Sequence, residues 1–136
     1  MYQYAPNPTR WVDPLGLANC NAAHPSAVVN DLRYFNRKIF RVGNSEFLLD
    51  RSGMKHILER HHPDYWDGSV KKMQSFFDKN MSIDDIKSAI HSVMKQNRNI
   101  LIERGNIGMY QIKGSYGGVN FTLGLKNGRI GQFYPN

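Results

Sequence analysis

Residues 99–136 read NILIERGNIGMYQIKGSYGGVNFTLGLKNGRIGQFYPN, and this stretch decides the fold. β-branched and aromatic residues recur in short runs, each cut by a turn dipeptide: Gly105-Asn106, Gly114-Ser115 and Asn127-Gly128. An Asn-Gly pair is the strongest of these signals, because a type I′ turn needs positive φ at both central residues. The pattern predicts four strands, 99–103, 107–113, 116–125 and 129–134, in an antiparallel meander. Upstream the period changes. Ile83, Ile86, Ile90, Val93 and Met94 fall on one helical face, and Ser82 with Asp85 three residues on is a capping-box start, so a helix is expected from Ser82 to about Asn97. Val70, Met73 and Phe77 suggest a helix over 69–79. Met54, Ile57, Leu58 and His61 suggest another over 53–61, ended by Pro63, which disfavours helical geometry at His62. Residues 38–50 read as two short strands around Gly43-Asn44, and Ser26 can cap a helix through about Tyr34. Helices first and a meander last predict an α+β domain, with N-terminal helices packed on a C-terminal antiparallel four-stranded sheet.

The chain of 136 residues is long enough for one core and an appended segment. Its mean hydropathy is −0.54, and no stretch approaches the ~20 apolar residues of a membrane-spanning helix. The single cysteine, Cys20, excludes an internal disulfide framework. Lys and Arg number 18 against 11 Asp and Glu, a net charge of +7 with a pI near 9.7. Such a balance favours polyanionic partners, since neutralising phosphates releases condensed counterions.

Residues 1–25 hold four of the six prolines and no amphipathic period, which marks a linker or the end of another unit. Within them YQYAPNPTRWVDPLGLA (2–18) resembles the conserved end of Rhs (rearrangement hotspot) cores, through Tyr2, Tyr4, Asn7, Pro8, Asp13, Pro14, Gly16 and Leu17. In that family the motif closes a β-cage and precedes a variable C-terminal toxin, released by a cut that falls here after Leu17. The resemblance implies two parts, the end of an Rhs core at 1–17 and a toxin domain at 18–136. It also implies a secreted effector delivered into a target cell's cytoplasm, and a cognate immunity protein, which the basic charge suggests is acidic.

The densest titratable cluster is KHILERHH, residues 55–62. Histidine titrates near neutrality, so two imidazoles can deprotonate a ribose 2′-OH and protonate the leaving 5′-oxygen without a metal. A cation is wanted as well, for the charge on the phosphorane. On a helix His56 and Arg60 are i,i+4 neighbours on a polar face, whereas His61 sits about 140° from His56, on the apolar stripe. His62, beside Pro63, lies outside the regular helix and can turn toward a cleft. We expect His56 and one of His61 or His62 as acid and base, with Arg60 or Lys113 stabilising the phosphorane.

A second set lies in the terminal strands: Lys113, Ser115, Tyr116, Thr122, Arg129, Gln132 and Tyr134. Alternation turns Thr122 away from Phe121 and Leu123, and Gln132 and Tyr134 away from Phe133, giving one polar, partly aromatic sheet face suited to a phosphodiester and a stacked base. We expect Thr122 and Tyr134 at the reacting centre, with the others binding substrate.

The string HIxxRH (His56, Ile57, Arg60, His61), the Ser75-Phe76 pair before the long helix and the terminal GRIGQFYP together resemble bacterial toxins of the barnase–EndoU–colicin–RelE ribonuclease superfamily. HIxxRH is also similar to the ribonuclease A-like toxins of contact-dependent inhibition, which share the metal-free chemistry on another fold. These resemblances imply an RNA substrate, no cofactor and no metal ligands. Two other toxin chemistries compete. His61-His62 before Pro63 is similar to the opening of HNH-type DNases, yet Asn80 and His91 lack the spacing for the remaining metal ligands. An ADP-ribosyltransferase needs a late catalytic glutamate, and the last one, Glu103, has no such setting.

Overall fold

The computed structural model describes residues 24–68 and 75–136. The proline-rich segment with its cleavage motif lies outside these residues, as does the 69–74 part of the helix expected over 69–79. Residues 75–78 are not helical.

The described residues form four helices and five strands. Helix α1 (Pro25–Asp31) starts on a proline and is capped by His24, whose Nδ1 accepts from the Ser26 N–H at 3.1 Å. Strands β1 (Lys38–Val42) and β2 (Ser45–Leu49) make the expected hairpin. Helix α2 (Arg51–His61) begins at Asp50, whose carboxylate accepts from the Gly53 N–H at 2.8 Å, and ends at His62 before the proline. Helix α3 (Ile83–Gln96) carries the full reciprocal capping box of Ser82 and Asp85.

Two expectations for the terminal stretch are overturned. Residues 98–104 form a helix, α4 (Arg98–Arg104), rather than a strand. Its alternating Ile100 and Ile102 imitate a strand but both stay exposed, and only Leu101 is buried. The first hairpin turn also lies at Gly117-Gly118, not at Gly114-Ser115. Strand β3 (Met109–Tyr116) continues through Gly114, and β4 (Val119–Lys126) follows. Gly114 serves packing instead. A Cβ there would lie 2.7 Å from the Gln96 amide oxygen and 3.2 Å from Val93, so its absence lets α3 close onto β3. The turn at Asn127-Gly128 forms as expected, with positive φ at both residues, and leads into β5 (Arg129–Pro135).

The fold is α+β, but the sheet has five strands, not four, in the order β1-β2-β5-β4-β3. All neighbours are antiparallel except β2 and β5, which run parallel and meet at Leu48 and Arg129. The additional strands are the β1–β2 hairpin, joined to the meander by pairing across most of the chain. A sequence period reports local structure and carries no information on that pairing.

One sheet face is apolar. Ile112, Phe121, Leu123, Leu125, Ile130 and Phe133 pack against Ile86, Ile90, Val93 and Met94 of α3 and Met54, Ile57 and Leu58 of α2. Phe121 and Phe133 stack at 4.8 Å between ring centroids, with Phe77 capping both. Helix α2 packs along β5 at close range: a Cβ on Gly53 would lie 2.5 Å from the Ile130 carbonyl oxygen. That approach sets the helix's polar flank beside the other sheet face.

Candidate active site

Register defines the second face. Lys113 pairs with Thr122, and Thr122 with Tyr134, so three side chains line up across β3, β4 and β5 within about 10 Å. Two residues along each strand, about 7 Å away, Gln111, Gly124 and Gln132 form a second row. The alternation read from the sequence therefore holds.

His61 stands at the end of the first row. Its ring lies 5.1 Å from that of Tyr134 and 6.3 Å from Phe77, half-buried between them. Its Nδ1 is 2.8 Å from the Ser75 carbonyl oxygen, which can only accept. Nδ1 therefore carries the proton, and the neutral ring keeps its lone pair on Nε2. Ser75 is itself held by its hydroxyl, which donates to the Pro135 carbonyl at 2.5 Å. The imidazole is thus fixed in orientation and tautomer by the segment after α2 and by the end of β5. Its position on the apolar stripe, which alone suggests a core histidine, is what brings it against Tyr134.

His56 lies one helical turn and more before it, on the exposed flank of α2. The Arg60 guanidinium donates to its Nε2 at 3.4 Å. With Gln111, Gly124, Arg129 and Gln132 it lines a groove of about 640 Å³ between α2 and the sheet face.

Both imidazoles are held below their ordinary value of 6.5. For His56 the main cause is burial, followed by the positive charge of Arg60; Glu59 and Asp67 oppose this and Lys55 adds to it. For His61 burial again leads, the hydrogen bond to Ser75 works the other way, and Arg60 and His56 lower it further. The unfolded chain therefore binds more protons than the folded one in the window below 6.5, and stability must rise with pH across that window and level off above it. We expect the midpoint of thermal unfolding to fall as pH drops from about 7 through 6.5 toward the folded-state values, and to fall less in His61→Gln. Melting curves across that range check this.

The remaining expected residues divide. Thr122 is 2% exposed, and its hydroxyl donates to the Asn136 side-chain oxygen. Lys113 is exposed at the far end of the row, and its backbone is pinned to α3 by Asn97, whose amide donates to the Val93 and Lys113 carbonyls at 2.8 Å each. Ser115 shares the face of Lys113, one step toward the turn, and its peptide is gripped on both sides by the Gln96 amide. Arg129 lines the groove but pairs with Asp50, so it also ties the start of α2 to β5. Tyr116, paired with Val119, faces the other side of the sheet and is not brought to the site.

His62 is not brought there either. It is 2% exposed, its Nε2 donates to the Met81 carbonyl at 2.7 Å, and its Nδ1 accepts from the Asp64 N–H at 3.0 Å. The helix ends with its ring turned inward, where it staples the loop after α2 to the segment before α3.

Gln111, Ser75 and Asn136 belong to the site without having been given these places from the sequence. Gln111 alternates with Lys113 and could have been found by extending the same face. The other two act through distant backbone contacts that leave no local signal. Among the described residues, no three His, Cys, Asp or Glu side chains gather as metal ligands, and no helix is long and apolar enough to cross a membrane.

A histidine-bearing helix laid beside a sheet face of lysine, hydroxyl, amide and phenol groups brings together the kinds of group that phosphodiester cleavage uses. Residues 51–136, from the first turn of α2 to the last residue, match the family described as bacterial EndoU nuclease, and the chain belongs to that family. No curated protein and no solved structure gives a significant match.

Proposed function

We propose that this nuclease is a metal-independent endoribonuclease that acts as the toxin domain of an Rhs effector. The observation that carries the chemistry is the row His61–Tyr134–Thr122–Lys113, with the His61 lone pair directed by Ser75. His61 Nε2 takes the proton of a ribose 2′-OH. The 2′-oxygen attacks phosphorus, the bond to the 5′-oxygen breaks, and His56 supplies the proton to that leaving oxygen. A phosphate held in the groove adds a negative charge beside His56 and offsets the effect of Arg60 on its protonation. Lys113 and Arg60 stabilise the phosphorane, the buried Thr122 hydroxyl and Tyr134 position it, and Gln132 with Gln111 contacts the adjacent nucleotide. The products carry a 2′,3′-cyclic phosphate and a 5′-OH.

Incubation with total bacterial RNA and with plasmid DNA, each with and without EDTA, tests this. RNA cleavage that survives EDTA, with cyclic phosphate ends, is the expected result. EDTA-sensitive nicking of DNA overturns it in favour of the HNH-type chemistry. Membership in a nuclease family leaves no support for the ADP-ribosyltransferase alternative.

The Rhs reading rests on the motif at residues 2–18, and with it go the enclosing core before release, delivery into a target cell's cytoplasm and a cognate immunity protein. An acidic inhibitor covering the groove at His56 is the partner the net charge of +7 favours, because charge complementarity speeds capture.

A further inference from the structure

The polar sheet face continues past its second row. Two residues further along β3 and β4, Met109, Lys126 and Arg129 are cross-strand partners and form a third row. Strict alternation from Tyr134 and Gln132 would put Ile130 there instead. The ladder shifts between Gly124 and Leu125, leaving Gly131 without a partner, so Ile130 turns into the core and Arg129 onto the polar face. Bulges re-aim side chains in this way beside active sites. Between the first and third rows Gln132 folds across β4 over Gly124, where a Cβ would lie 2.6 Å from its amide oxygen. That oxygen accepts from the Gln111 amide at 3.4 Å, so two amides floor the groove that His56 overlooks.

Lys126 stands there in an unbalanced setting. It is exposed, it lies directly opposite Arg129, and it makes no ion pair among the described residues, whereas Arg129 is paired with Asp50. Like charges directly opposite destabilise a strand pair, and no acidic residue lines the groove. On its other side Lys126 faces Met109, a thioether left 72% exposed on a polar surface. An unpaired ammonium beside an uncovered apolar side chain suits one nucleotide, with the phosphate on the first and the base against the second.

We propose that this groove holds the strand on the 3′ side of the cut, with Lys126 binding the second phosphate beyond the scissile one. The inference rests on the ribonuclease reading and gives its substrate a direction. His56, which protonates the leaving 5′-oxygen, lines the groove; His61, Tyr134, Thr122 and Lys113 do not. The leaving nucleotide therefore enters over the amide pair, and the nucleotide that supplies the 2′-OH lies outside. From Lys113 to Met109, and from Thr122 to Lys126, the rows are four residues apart, about 13 Å, a span of two nucleotide steps. The preferred bond is thus an internal one, followed by at least three nucleotides.

The test uses 2′-O-methyl oligonucleotides with one free 2′-OH, so that a single bond can be cut, lengthened one nucleotide at a time on either side. We expect kcat/KM to rise about tenfold when the second phosphate on the 3′ side is added, the worth of one charged contact. In Lys126→Ala that gain should vanish, and the salt dependence of KM should become shallower by about 0.7 in log–log slope; Lys126→Arg should keep both. A Lys126→Ala loss that follows length on the 5′ side reverses the direction and overturns the proposal. An equal loss at every length, or none at any, overturns it as well. If the unsubstituted protein cuts none of these RNAs, or cuts one lacking the free 2′-OH, the ribonuclease reading itself falls, and this inference with it.

Discussion

Alanine at position 61 is expected to slow cleavage by about 10²–10⁴-fold, the range over which a positioned general base contributes. The size of the effect follows from how the ring is held. Ser75 fixes the Nδ1 proton, Tyr134 and Phe77 flank the ring, and the only nitrogen left for chemistry faces the row that ends in Lys113. Removing the imidazole also leaves the Ser75 carbonyl without its donor, at a cost of about 1–3 kcal/mol. The activity loss must therefore be measured on folded protein, by single-turnover cleavage with circular dichroism alongside. His62→Ala is the contrasting substitution. Its ring is buried and binds the Met81 carbonyl and the Asp64 N–H, so the substitution should lower the unfolding midpoint while leaving the rate per folded molecule unchanged. A rate loss in His62→Ala equal to that in His61→Ala would show that the roles are assigned to the wrong ring.

The largest effect on stability is expected from Phe133→Ala. Phe133 is fully buried, stacked on Phe121 at 4.8 Å and on Phe77 at 5.9 Å between centroids. Truncating such a ring costs about 3–5 kcal/mol, part transfer free energy and part cavity. In a domain of this size the midpoint should fall by about 10–30 °C. The damage also reaches the site, because Phe77 touches the rings of both His61 and His62 and its N–H donates to the His61 carbonyl at 2.8 Å. Phe133→Leu, which keeps most of the volume, should recover much of the loss. Chemical denaturation of the three proteins at one temperature checks the free energies, and melting curves check the midpoint.

Sequence and structure agree where the deciding physics is local. The capping box at Ser82, the period of α3 and the left-handed pair at Asn127-Gly128 each specify an element from a few neighbouring residues. Ile100 and Ile102 misled for the same reason: their alternation is genuine, but the surroundings bury only Leu101. Gly114 looked like a turn because its function, clearance for Gln96 and Val93, lies 18 and 21 residues back in the chain. In the site, strand alternation was enough to place Thr122, Gln132 and Tyr134 on one face. It could not show that His61 rather than His62 turns toward them, which depends on a carbonyl 14 residues further on.

The one parallel junction of the sheet has a consequence for how the protein comes into being. The β1–β2 hairpin and the β3–β4–β5 meander each close over short loops, which is fast. Their union at Leu48 and Arg129 closes a loop of about 80 residues, and Arg129 also reaches Asp50 across 79. That slow closure is what carries the histidines to Tyr134 and Lys113. Until β5 is in place the chain thus lacks the proposed catalytic row, and two fragments divided between α2 and α3 are each expected to be inactive until they meet.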